Sequence, residues 1–261
     1  IVRGLRDRGA TIDVVHLTRA TDRWSSATTT GGSLRRVPLG DDPEHALRRA
    51  VAELAADQPR RSWTHLVAFG GTFTSPFTRE VRESSAVDQR SGVSARFAIA
   101  CVEALAGAAV RRAAMSGEND PVARIGDLAG VVPTLRGKVE FDVSEEGQEE
   151  ETLQLLARRA TADAWRTSLG GGDVRPILTA LVAWFDEGNS LIAGDAVPAT
   201  TLLEELGPVD GLGRLVTTLE PAMAESPGLA AACIEFAVEG LWLTRRIDKD
   251  SIGGVSRYGS S

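Results

Sequence analysis

The sequence predicts a mainly α-helical protein in which a small, incomplete α/β unit precedes a larger helical domain. Three observations support this fold class. Residues 11–17, the β-branched run TIDVVHL, follow a glycine that ends a helical pattern. A second apolar run, WTHLVAFGG at residues 63–71, ends in a glycine turn. From residue 74 onward the apolar residues recur at three- and four-residue spacing, which is the period of a helix.

The change in pattern near residue 75 predicts two parts, residues 1–75 and 76–261. In the first part, the polar stretch at 18–43 is rich in Ser, Thr and Gly and is expected to be a loop. A helix is expected from Pro43 to Ala56, before the strand at 63–71. Strand, helix and strand in this order are typical of a parallel βαβ unit. Two strands are too few for a complete doubly wound sheet, so we expect a partial Rossmann-like unit.

The second part is expected to consist almost entirely of helices. Ser91 or Ser94, Ser144 and Ser226 are candidate N-caps, because a serine oxygen accepts a hydrogen bond from the first helical turn. Residues 137–142, GKVEFD, are expected to form a short strand or an extended turn. The predicted helices are Pro76–Glu83, Ser94–Met115, Pro121–Leu135, 144–169, Val174–Phe185, Ala199–Leu206, Gly211–Leu219, and a last one from Ser226 to Arg246.

Composition and charge narrow the function classes. The 261 residues are 43% hydrophobic and 25% charged, as in ordinary globular proteins. A formal net charge of -7 argues against a nucleic-acid partner held by bulk electrostatics. The chain has no apolar run of about 18 residues, no signal peptide and no initiator Met, so we expect a cytoplasmic fragment without a membrane partner. Cys101 and Cys233 lie in apolar helical patterns and are expected to be buried thiols rather than a disulfide.

The candidate site is Arg96, which lies in the first turn of a predicted apolar helix. Cations are disfavoured there by about 0.3–1 kcal/mol, because the helix dipole is already positive at that end. One interpretation is a phosphate contact, in which the guanidinium and the helix-start N–H groups face one anion. The other is a surface arginine paired with Asp88 or Glu103, and on spacing alone this ion pair is favoured.

Three stretches of the second part resemble a known family. They are FTREVRESSAVDQRSGVSARFAIA, LRGKVEFDVSEEGQEEETLQLLARRATAD and FAVEGLWLTRRIDKDSIGGVSRYG. In this order they resemble the C-terminal helical lid region of actinobacterial magnesium chelatase subunit I-like ATPases, which are AAA+ proteins close to the MoxR group. The resemblance covers about residues 76–259, and VDQRSGVSARFAIA and GKVEFDVSEEG are its specific parts.

The resemblance implies a nucleotide-sensing role for this helix start. In the family, an arginine in a Gly-x-Ser-x-Arg setting contacts the terminal phosphate as the sensor 2 residue, and Gly92, Ser94 and Arg96 match that setting. Arg90 is the alternative sensor. The family further implies ATP and magnesium as cofactors, and an AAA+ core with neighbouring ring subunits as partners. The family activity is ATP-driven remodelling of a partner or metal insertion into a porphyrin.

The chain also departs from the family. It contains no Gly-x-x-x-x-Gly-Lys-Ser/Thr phosphate loop, and Lys138 lacks the glycine loop that would precede it. We therefore predict no ATP hydrolysis by this chain alone and no catalytic residue in it. Residues 1–71 instead resemble part of a nucleotide-sugar glycosyltransferase of the two-Rossmann type, which predicts a chimeric fragment. A glycosyltransferase-type fragment and a helical interaction module with no nucleotide role are the two alternatives.

Other polar features are expected to be structural. His16, His45 and His65 are widely spaced and lack neighbouring cysteines or carboxylates, so no metal site is predicted. The acidic run SEEGQEEE at 144–151 is expected to be a solvated first helical turn, where carboxylates match the positive end of the dipole.

Overall fold

A computed structural model describes residues 14–18, 34–38, 76–88, 90, 93, 95–118, 121–194, 196–220 and 226–261. The chain forms two compact units, Ile1–Trp63 and Thr64–Ser261. The predicted helix Pro43–Ala56, the predicted strand at 63–71, and His45 and His65 lie outside the described residues.

Two parallel strands are described in the first unit. Strand β1, Val14–Thr18, pairs with strand β2, Leu34–Pro38, in a register that aligns Val14 with Leu34. The strand expected at 11–17 is therefore confirmed, with a shift of its bounds. The loop expected over all of 18–43 is wrong at 34–38, because pairing with β1, a non-local interaction, makes this segment a strand.

The second unit is mainly helical, with a small three-stranded antiparallel sheet. The sheet has the order β3–β5–β4, and its strands are Leu191–Gly194 (β3), Asp248–Ile252 (β4) and Val255–Gly259 (β5). The helices are 76–83 (α1), Ala95–Ser116 (α2), Leu128–Leu135 (α3), Glu149–Leu169 (α4), Arg175–Asp186 (α5), Ala199–Glu205 (α6), Leu212–Leu219 (α7) and Pro227–Leu243 (α8).

Helix α8 forms the centre of the second unit. Every residue from Gly228 to Leu241 except Ala230 is buried, because the sequence PGLAAACIEFAVEGLWL is apolar on nearly all sides. Ser226 caps this helix as predicted, with its Oγ accepting a hydrogen bond of 3.3 Å from the Leu229 N–H. Cys101 and Cys233 are buried, and neither forms a disulfide, as expected.

The predicted start of α4 is wrong. Ser144 does not cap it, because the Asp142 carboxylate accepts hydrogen bonds from the Ser144 N–H at 3.0 Å and from its hydroxyl at 2.8 Å. These bonds hold 143–145 in a 3-10 turn. Gly147 then adopts a φ of 86°, so the helix begins only at Glu149.

The helix expected over Pro121–Leu135 is shorter in the structure. Residues 121–124 are not helical, a 3-10 turn covers Ile125–Asp127, and only Leu128–Leu135 forms α3. The Asp127 carboxylate accepts a hydrogen bond of 2.8 Å from the Arg124 N–H, which stabilises the turn instead of an earlier helical start.

The C-terminal hairpin was not predicted. Strands β4 and β5 are joined by Gly253 and Gly254, which have φ values of 60° and 82° and so fit a two-residue hairpin turn. The hairpin is fixed to α8 by Glu239, whose Oε2 accepts bonds of 2.7 Å from Lys249 Nζ and 2.6 Å from the buried Tyr258 hydroxyl. Burial, and then the negative charge of Glu239, raise the pKa of Tyr258 well above its ordinary value, so the phenol stays a donor.

Candidate functional site

Along the chain, the predicted sensor residues lie close to the start of α2. The helix begins at Ala95, so Arg96 lies in its first turn, as the sequence predicted. That turn contains no acidic residue. The side chain of Arg96 and all of Gly92 and Ser94 lie outside the described part of the chain.

Arg90, the alternative sensor, is bound to Asp88 by an exposed ion pair. Its Nε lies 3.3 Å from Asp88 Oδ1, and its side chain is 93% exposed. The Arg90 backbone N–H also donates to Asp88 Oδ1 at 2.9 Å. That backbone bond, and then the guanidinium, lower the pKa of Asp88, while Asp88 raises the pKa of Arg90. The charge of Arg90 is therefore balanced locally.

Contacts with two other segments hold the start of α2 in place. The Phe77 and Phe97 rings pack with centroids 5.4 Å apart, which joins α1 to the first turns of α2. Arg82 Nε donates to the Val93 carbonyl at 3.3 Å. Residues 86–88 also pair with 140–142 through an antiparallel bridge between Val87 and Phe141. Contacts from α1 to Val93 and Phe97 therefore position the start of α2.

The far end of α2 enters a buried ionic cluster that the sequence analysis missed. Arg112, with its side chain 2% exposed, donates from Nε to Asp127 Oδ1 at 3.1 Å and from Nη1 to Glu118 Oε2 at 2.9 Å. It also donates to the Val122 carbonyl. Burial alone would lower the pKa of Arg112, because it disfavours the charged guanidinium. The negative charges of Asp127 and Glu118 have the larger combined effect and raise that pKa. A helical rise of about 1.5 Å per residue places Arg112 about 24 Å along the axis from Arg96.

Arg124 and Glu118 extend this cluster toward α6. Arg124 Nη2 lies 2.6 Å from Glu118 Oε1, and Arg124 Nη1 donates to the Val197 carbonyl at 2.8 Å. The Ala199 N–H, at the start of α6, also donates to Glu118 Oε1. The cluster therefore connects α2, the 121–127 segment and α6 by charge-assisted bonds.

Glu235 of α8 is the third carboxylate of the cluster. It is 1% exposed, and its Oε1 accepts a bond of 2.8 Å from the Gly126 N–H. Its Oε2 makes no hydrogen bond within the described structure. Arg124 and Arg112 offset part of its charge, but their guanidiniums already face the carboxylates of Asp127 and Glu118. Burial, the largest cause, raises the pKa of Glu235.

We expect Glu235→Gln to raise the free energy of unfolding at pH 7–8 by about 1 kcal/mol. The pKa of Glu235 is higher in the folded state than in the unfolded state. Its contribution to the free energy of unfolding is therefore fully present below the unfolded-state pKa, and it is lost as pH rises through the folded-state pKa. The amide keeps an acceptor for Gly126 but cannot ionise. Urea unfolding at several pH values measures this, with the exposed Glu151→Gln as control. An unchanged pH profile in Glu235→Gln would show that the carboxyl does not change protonation.

The Cys233 thiol of α8 lies in the core and is not in a disulfide. Burial raises the pKa of Cys233 to about 12, so its thiol is not a nucleophile at neutral pH. No group of three or more His, Cys, Asp and Glu side chains suited to a metal occurs among the described residues. None of the helices described is long and apolar enough to cross a membrane. His16 lies on β1, but its side chain is outside the description.

Comparison of the chain with protein-family models, curated proteins and solved structures gave no match.

Proposed function

We propose that residues 76–259 form the nucleotide-sensing lid of a magnesium chelatase subunit I-like AAA+ ATPase, with Arg96 as the phosphate sensor. The observation that carries the proposal is the start of α2 at Ala95. A helix start leaves its first N–H groups without helical partners, and they point along the axis toward an approaching anion. A guanidinium in that turn adds a second set of donors for the same phosphate.

The residue types at this helix start suit a polyphosphate. The first turn contains no carboxylate that would repel the anion or occupy the N–H groups. Arg90 is the weaker candidate, because Asp88 already neutralises it. In this proposal the AAA+ core holds ATP and magnesium, and the lid contributes the arginine and the helix dipole.

The proposed role of the lid is to change position with the state of the nucleotide. A rigid helix of 22 residues moves as one body, so a contact at Arg96 displaces the ionic cluster around Arg112 as well. ATP hydrolysis would occur in the core and on a neighbouring subunit, because this chain has no phosphate loop. The physiological result would be remodelling of a partner protein or metal insertion into a porphyrin.

The test is a fusion of the phosphate-loop core of a magnesium chelatase subunit I to residues 64–261 of this chain. We expect Arg96→Ala to lower kcat for ATP by about 10–100-fold, because a charge that stabilises the phosphate is removed. Arg111→Ala, at an exposed position near the other end of the same helix, is the control and should retain activity within about twofold. Arg90→Ala should resemble the control.

A second readout separates sensing from folding. The dissociation constants for ATP and ADP should become similar in Arg96→Ala, while circular dichroism stays unchanged. If the Arg96→Ala and Arg111→Ala fusions hydrolyse ATP equally well, the nucleotide-sensing role is wrong. The helical domain would then be better described as an interaction module.

A further inference from the structure

Residues 139–142 form a short extended segment with one paired edge and one open edge. On the paired edge, the Asp88 N–H donates to the Glu140 carbonyl at 2.9 Å, and the Asp142 N–H donates to the Ala86 carbonyl at 2.9 Å. In an antiparallel pair of this pattern, the residue between the two bonds directs its own N–H and C=O away from the neighbouring strand. That residue is Phe141, and its backbone makes no hydrogen bond within the described structure.

A cleft of about 480 Å³ lies along this segment. Val139, Phe141 and Val143 contribute apolar side chains to it, at alternate positions of the chain. Val139 has extended dihedrals, φ -135° and ψ 139°, and Asp142 is also extended, with φ -62° and ψ 149°. The extended segment ends where the 3-10 turn begins at Val143. Val143 is 85% exposed, which leaves apolar surface available in the cleft.

Most of the charged side chains that line the cleft are acidic. Asp142, Glu146 and Glu149 line it, against one cation, Arg136. Arg136 is already paired with Glu149, at 2.9 Å between Nη2 and a carboxylate oxygen. A hydrogen bond from the Ser144 N–H lowers the pKa of Asp142, and backbone N–H groups at the start of α4 lower the pKa of Glu149. Asp142 and Glu149 are therefore ionised at neutral pH. With three carboxylates and one guanidinium, the cleft lining carries net negative charge.

We propose that this cleft binds a basic, extended segment of a partner protein, which adds as a strand beside Phe141. Strand addition obtains affinity from backbone hydrogen bonds, which the open edge of Phe141 can supply. Specificity comes from alternate side chains. Apolar ones contact Val139 and Val143, and lysines or arginines face Glu146 and Asp142. An acidic strand would be repelled by the same carboxylates.

The test is selection of peptides from a random decapeptide display library on the full chain. We expect the selected sequences to carry Lys or Arg at alternate positions. A synthetic peptide with the consensus sequence is then the probe, and its binding is measured by fluorescence anisotropy. Glu146→Lys should weaken its binding by at least about tenfold, because a charge that faces the peptide is reversed. Glu151→Lys is the matched control. Glu151 is exposed and close in sequence but does not line the cleft, so binding should change by less than about twofold.

A backbone readout tests the mode of binding. Amide hydrogen exchange of Phe141 should slow when the consensus peptide binds. Phe141→Pro, which removes the N–H, should weaken binding of the peptide. Selected sequences that are neutral or acidic, or a library that yields no binder, would overturn the proposal. Equal effects of Glu146→Lys and Glu151→Lys, or an unprotected Phe141 amide, would overturn it too.

Discussion

Arg112→Met is expected to lower the free energy of unfolding of the helical unit by about 3–5 kcal/mol. The substitution leaves a side chain of similar length but removes the cation that faces Asp127 and Glu118. Asp127 is 4% exposed, so its carboxylate would remain buried with fewer compensating donors. Removing one partner of a buried ion pair costs far more than an exposed pair contributes, because the remaining charge keeps its desolvation penalty.

Chemical denaturation monitored by circular dichroism measures this loss. Arg111→Met is the control, since Arg111 is the preceding residue of the same helix and is exposed, and it should change stability by less than about 0.5 kcal/mol. A double variant, Arg112→Met with Asp127→Asn, should be more stable than the sum of the single effects predicts. If Arg112→Met lowers the free energy of unfolding no more than Arg111→Met does, the cluster does not stabilise the fold.

The sequence predicted the helices well, because their evidence is local. The apolar period placed α2, α5 and α8 to within a few residues of their observed bounds. Ser226 and Pro227 marked the start of α8 correctly, since an N-cap followed by Pro at the first helical position is a local arrangement. The three short strands of the second unit were missed, because β4 and β5 contain few apolar residues and the pairing of β5 with β3 is long-range.

The ionic cluster was missed because its members are separated along the chain. Arg112, Glu118 and Arg124 look like surface residues when considered one at a time, and Glu235 is more than 100 residues from Gly126. One signal was present. Glu235 and Glu239 are four residues apart in an otherwise apolar helix, and both are buried. Acidic residues in a buried helix require partners, and this pattern could have indicated the contacts of Glu235 with Gly126 and of Glu239 with the C-terminal hairpin.

The candidate sensor site illustrates a different limit. The sequence correctly placed Arg96 in the first turn of a helix, because the apolar pattern that follows it fixes the register. It also left Arg90 as an alternative, and the structure shows Arg90 in an exposed ion pair with Asp88. Spacing alone did not show that pair, because it depends on the hydrogen bond from the Arg90 N–H to Asp88 and on the pairing of residues 86–88 with residues 140–142.

Gly240→Ala is expected to lower the free energy of unfolding by about 3 kcal/mol, in spite of the higher helix propensity of alanine. Gly240 lies in α8 directly against Trp165 of α4, and a Cβ added there would overlap the indole ring. Trp165 cannot easily move, because it is 7% exposed and its Nε1 donates to the Ala237 carbonyl at 3.1 Å. The methyl group therefore forces α4 and α8 apart along their contact.

Thermal and urea unfolding of Gly240→Ala measure the loss in free energy of unfolding, and Gly130→Ala is the control. Gly130 lies in α3 with open space around its missing Cβ, so alanine there should stabilise the protein by up to about 1 kcal/mol. Trp165→Ala should make Gly240→Ala nearly harmless, because the methyl group would then occupy space left by the indole. If the cost of Gly240→Ala persists without the indole, it arises from the helix backbone rather than from the contact between α4 and α8.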